Sequence, residues 1–149
     1  MTDTKQLMEY AQHPELALQN LAELLALLDS EDESIQIQSN DALENCGVPR
    51  SSDVPFLCQQ LKSGSSSCVY WACTLLGRLG NESTAAKTIQ SDLCVVIQDE
   101  SLGLSARERA AWAAGELGAV DVPFRKCIEP IISNAPPRLK RLLEKLVKP

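Results

Sequence analysis

Six cysteines and one histidine are the side chains of this sequence best suited to hold a metal or form covalent bonds. The cysteines are Cys46, Cys58, Cys68, Cys73, Cys94 and Cys127, and no two of them stand at Cys-x-x-Cys spacing. Zinc sites draw on Cys and His clustered at short spacings, so no metal site is expected. Cys46 and Cys68 fall at apolar helix positions, where a thiol serves as a small hydrophobe. The N-terminus, Met1-Thr2-Asp3-Thr4-Lys5, lacks the basic-then-apolar character of a secretory signal, so all six thiols are expected to be reduced. The lone histidine, His13, precedes Pro14, which leaves a His-based triad without a base. There is no Gly-x-Ser-x-Gly and no Gly-rich phosphate loop. No catalytic residue and no cofactor is therefore expected. What remains is binding chemistry. Tyr70, Trp71, Arg109, Trp112 and Arg141 belong to the residue types that most often anchor protein partners.

Those side chains need elements to position them. The stretch from Ala106 to Gly118, A-R-E-R-A-A-W-A-A-G-E-L-G, supplies one. Ala106, Ala110, Ala113, Ala114 and Leu117 recur at helical spacing, and their small size lets another helix pack close. Ser105 and Glu108 form a Ser-x-x-Glu start signal, and Gly118 provides a left-handed stop. The pattern repeats upstream. Gly118 aligns with Gly80 and Gly47, and Ala106 with Cys68 and Ile35. A further copy fits the tail, with Ala135, Leu139, Leu142, Leu143 and Leu146 at the buried places. Asp-Val-Pro-Phe occurs at Asp53–Phe56 and again at Asp121–Phe124, each just after a Gly-ended helix. Self-similarity at this period marks an all-α chain built as an α-solenoid of about four antiparallel helix pairs. The pairs are read over residues 15–47, 53–80, 84–118 and 122–148 of a single repeat domain spanning residues 1–149.

The residues that carry this pattern resemble the HEAT family, and most closely the short HEAT-like repeats of phycocyanobilin lyase type. Ala106-Arg107, Ala110 and Ala114-Gly115-Glu116-Leu117-Gly118 match that motif, and Leu76-Gly77-Arg78-Leu79-Gly80 matches its ending. The family's Arg stands only at Arg107, and Gln36, Val69 and Pro136 replace it in the other copies. The resemblance implies a superhelical fold and a concave binding face. Family members that hydroxylate use His-Glu pairs on iron, and this chain has no His-Glu. A glycosylase arrangement of Trp112, Asp41 and Arg109 finds no match in spacing.

Turning the repeat register by 100° per residue gives the direction opposite the buried set. Glu108, Trp112 and Gly115 take it in the third pair, and Ile37, Asp41 and Glu44 in the first. Tyr70, Thr74 and Gly77 take it in the second, with Trp71 on the flank beside the place of Arg109. Pro137, Arg141 and Glu144 follow in the last pair. The concave face then carries acid (Asp41, Glu44) at one end, aromatics in the middle and base at the other. Trp71 could equally fill a gap between neighbouring pairs. Trp112 is expected to stand exposed, so that its truncation costs about 1 kcal/mol or less.

Charge narrows the partner. Twenty acidic and 14 basic side chains give a net charge of −6. That balance disfavours nucleic acid and anionic membrane, and no apolar run reaches spanning length. Residues 1–60 hold 11 acids and 2 bases, whereas residues 61–149 hold 9 acids and 12 bases. The chain is thus expected to be a monomer or to self-associate weakly in a salt-dependent way, in the cytoplasm. A protein partner of unidentified sequence, bound along the concave face, is the expected function. The alternative is a lyase-type protein that handles a chromophore or another small ligand on the same face.

Overall fold

The computed structural model describes residues 4–148. Among the described residues there are ten α-helices, one 3-10 turn and no strand. No helix among them is long and apolar enough to cross a membrane. The chain divides into two compact units, Met1–Asp53 and Val54–Pro149. The boundary falls where the sequence predicts the start of the second helix pair.

The first unit holds α1 (Thr4–Gln12), α2 (Pro14–Gln19), α3 (Leu21–Leu27) and α4 (Glu33–Asn45). The sequence predicts one helix over residues 15–28, but the structure breaks it at Asn20. There the backbone leaves helical geometry at φ −125° and ψ 29°, and the side-chain amide donates to the carbonyl of Leu16 at 2.7 Å. An Asn that bonds the preceding turn competes with the helix ladder, which is why it interrupts rather than extends it. Helix α1 packs along α4 and buries Leu7 and Tyr10, so the N-terminal segment belongs to the core of this unit. Asp32 caps α4 by accepting from the backbone N–H of Ser34 at 2.9 Å, as the acidic turn before it predicts.

An Asp just before Val54-Pro55 predicts a helix N-cap at Asp53, but the structure gives this residue another role. Its carboxylate is engaged by Arg50, whose backbone N–H, Nε and Nη2 donate to it at 2.9, 3.1 and 3.0 Å. Nη2 of the same arginine donates to the carbonyl of Leu18. A guanidinium fork matches a carboxylate better than a single amide does, so the ion pair displaces the cap.

The second unit is three helical hairpins. They are α5 (Val54–Ser63) with α6 (Ser66–Gly77), α7 (Ala86–Gln98) with α8 (Leu104–Glu116), and α9 (Val122–Ile132) with α10 (Pro137–Val147). Helix α8 packs between α6 and α10, and α7 packs between α5 and α9. Ala106, Ala110, Ala113 and Ala114 are fully buried, as their spacing predicts. Their short side chains allow α8 its close approach to neighbours on both sides. Gly47, Gly80 and Gly118 all adopt left-handed backbone, with φ of 81°, 71° and 114°. A side chain is strained there, and each of these glycines lies just past the end of a helix.

The start of α8 differs from expectation. Gly103, not Ser105, is its N-cap and offers no side chain, and the backbone N–H of Gly103 donates to Ser66 Oγ at 2.9 Å. Beginning at Leu104 places Ser105 and Glu108 within the helix, so the capping box does not form.

Helix α7 ties its neighbours through polar side chains. Gln90, 2% exposed, donates from Nε2 to the carbonyls of Ala114 at 2.9 Å and Gly118 at 3.0 Å. Lys87 Nζ donates to Ala119 O, and Gln98 Nε2 to Cys127 O. In the other direction Arg107 Nε donates to Ile97 O at 2.9 Å, capping the end of α7. Arg107 thus serves a helix terminus.

The expectation of six reduced thiols is corrected. Cys94 on α7 and Cys127 on α9 are joined in a disulfide, with Cα atoms 6.8 Å apart. The two helices pack side by side and bring the pair within bridging reach. The remaining four cysteines lie outside the disulfide, and Cys46, Cys68 and Cys73 are buried. Burial pushes the Cys73 thiol up to about 12. Burial, followed by the nearby Asp92 carboxylate, also raises Cys58.

Candidate functional site

Helix α8 brings Arg109 and Trp112 onto one side, and α6 brings Tyr70 against them. The Arg109 guanidinium lies 4.9 Å from the centroid of Tyr70 and 4.8 Å from that of Trp112. Its Nη2 donates to the Tyr70 hydroxyl at 2.7 Å. A cation over two ring faces is held by their quadrupoles, and the hydrogen bond fixes its orientation. No carboxylate stands within ion-pair distance of Arg109 among the described residues. Its charge is thus held by aromatic faces and the Tyr70 hydroxyl.

Two cavities meet beside this cluster. One, of about 410 Å³, runs past Trp112, Gly115, Leu142, Lys145, Leu146 and Lys148. The other, of about 270 Å³, is lined by Tyr70, Ser105, Glu108, Arg109, Trp112, Arg138 and Leu142. Trp112 and Leu142 line both. At the mouth of the smaller cavity Arg138 Nε stands 3.7 Å from Glu108 Oε2. The arginine is largely exposed, whereas the Glu108 side chain is mostly covered.

Of the residues singled out in the sequence, Tyr70, Arg109 and Trp112 are brought together. Trp71 is buried: it is 5% exposed and meets the edge of Tyr70 at 5.6 Å between ring centroids, as the inward alternative for this flank residue has it. Arg141 is exposed on α10 and lines neither cavity. Asp41 and Glu44 are exposed on α4, in the other compact unit.

Trp112 itself is half-buried rather than fully exposed. A Cβ built on Gly77 would come within 2.5 Å of its Cζ3, so the ring sits directly on the α6 backbone. Thr74 and Gly77, on the direction expected to face the groove, are accordingly buried. The helical wheel measures direction against a helix's own hairpin and takes no account of the next helix leaning over it. Truncating Trp112 therefore costs more than the sequence predicts. Arg138 and Leu142 escaped the sequence reading of the site. The signal for Arg138 was present: at the same repeat position stand Trp71, Arg109 and Arg138, a flank column rather than the groove column.

Gly77→Ala tests this packing. The added methyl meets Trp112 Cζ3 at 2.5 Å and the Ala113 Cα at 3.2 Å. Overpacking outweighs the gain in helix propensity, so stability falls by about 1–2 kcal/mol. The indole is also pushed outward, which red-shifts its fluorescence. An unchanged spectrum and midpoint would show that the ring does not rest on Gly77.

Among the described residues no group of three or more His, Cys, Asp or Glu is arranged to hold a metal ion. Comparison with protein-family models, curated proteins and solved structures finds no match to this chain.

Proposed function

We propose that this chain is an α-solenoid of HEAT-like repeats that works as a protein-interaction module, docking a partner segment on the face of α8 and α10. The observation that carries this reading is the Arg109 guanidinium stacked between Tyr70 and Trp112 without a carboxylate partner, at the meeting of two cavities. Aromatic and Arg side chains in partly desolvated pockets are the usual anchors of protein interfaces. The repeat reading is supported by the left-handed glycines Gly47, Gly80 and Gly118 and by the packing of α8 between α6 and α10.

The test is affinity capture from source lysate with the wild-type chain and with Arg109→Gln. A partner retained by the first and depleted roughly tenfold by the second supports the reading. Equal retention by both would remove Arg109 from the interface. A second reading has its own support, because a cavity of about 410 Å³ lies within the size range of small-molecule sites. Mass spectrometry of the purified protein under native conditions discriminates: a stoichiometric bound small molecule or pigment favours the ligand reading.

A further inference from the structure

We infer that the segment docked on this face is acidic, with an apolar residue bracketed by carboxylates. The inference rests on the reading of the α8–α10 face as a docking surface and adds the chemistry of its occupant. The two cavities share an apolar floor, Trp112 and Leu142. Cations stand to either side of that floor: Arg109 and Arg138 in the smaller cavity, Lys145 and Lys148 in the larger. The acids lining the cavities are Glu108 and Glu116, and Glu108 is already paired with Arg138. Cationic character therefore exceeds acidic at both ends, on a chain whose net charge is −6. Arg138 and Lys145 lie seven residues apart on α10, roughly 10 Å of helix axis. An extended peptide covers that distance with about three residues. One apolar side chain on the Trp112–Leu142 floor would thus place a carboxylate before it near Arg109, on the Arg138 side, and another after it near Lys145. Cations on either side of the floor attract carboxylates and repel a basic segment through like charge.

Selection from a displayed library of random peptides against the full chain tests the inference. The expected result is enrichment of peptides with a large apolar residue between Asp or Glu residues. Their binding should weaken about tenfold on Arg109→Gln, and also on the double change Lys145→Glu with Lys148→Glu, whose side chains are both exposed and leave the core intact. It should fall further as salt rises. Four results overturn it. Neutral or basic peptides that lose binding on Trp112→Ala would keep the docking face and discard its charge preference. Peptides indifferent to Trp112→Ala, or no enrichment at all, would discard the face itself. A single-stranded oligonucleotide that binds more tightly than any selected peptide, and is lost on the double lysine change, would assign the cations to phosphates.

Discussion

Removing the Cys94–Cys127 disulfide, by reduction or by the double change Cys94→Ser with Cys127→Ser, is expected to lower stability by about 3–4 kcal/mol. The bond links positions 33 residues apart. Closing a loop of that length removes much of the freedom of the unfolded chain, and the figure is the chain-entropy estimate for it. In the folded state the bond holds α7 to α9, which already pack together, so little native contact is lost with it. For a domain of this size the melting midpoint should drop by roughly 10 °C. Thermal unfolding of the double variant against the oxidised wild type measures this. An unchanged midpoint would mean that the two sulfurs are not joined in solution. Thiol titration of the denatured, unreduced protein should count four free groups, the cysteines other than this pair. In a compartment buffered by glutathione the bond would be exposed to reduction, so a cytoplasmic setting would hold the protein near its less stable form.

Trp112→Ala is expected to cost about 2–3 kcal/mol of stability, less than a fully buried Trp and more than a surface one. The ring loses its seat on Gly77, and Arg109 loses one of its two aromatic faces. If the α8–α10 face docks a partner, the same change should weaken binding by about 2 kcal/mol, near 30-fold, because it removes the shared floor of both cavities. Chemical denaturation and calorimetric titration with a captured or selected partner separate the two effects. A stability loss without any binding loss would make Trp112 purely a packing residue. Trp112→Phe keeps an apolar ring and should recover part of both.

How far such features are legible in the sequence depends on how local they are. Gly47, Gly80 and Gly118, the buried alanines of α8 and the Asp32 cap were all readable, because each is set within a turn or two of chain. Asn20 was not, since the apolar stripe of Leu18, Leu21, Leu25 and Leu28 runs through it and hides the break. The disulfide was not, because pairing depends on which helices become neighbours. Its separation of 33 equals the offset from Gly47 to Gly80, and that coincidence was the available clue. For the site, residue types picked out Tyr70, Arg109 and Trp112, while their mutual stacking follows from α6 and α8 approaching closely, which no single-helix periodicity can express.

The side-chain bonds of Gln90 have a consequence for how this fold opens. Helix ends ordinarily fray first, since their last carbonyls are held only by water. At the end of α8 the carbonyl of Ala114, and that of Gly118 just beyond the helix, are held by a buried amide that belongs to α7. Loosening that turn therefore breaks bonds on a second helix and strands a polar group away from solvent. The end of α7 is held in return by Arg107. Neither helix can unravel alone, so the hairpin should open in one cooperative step, with its terminal amides exchanging hydrogen as slowly as those at its centre.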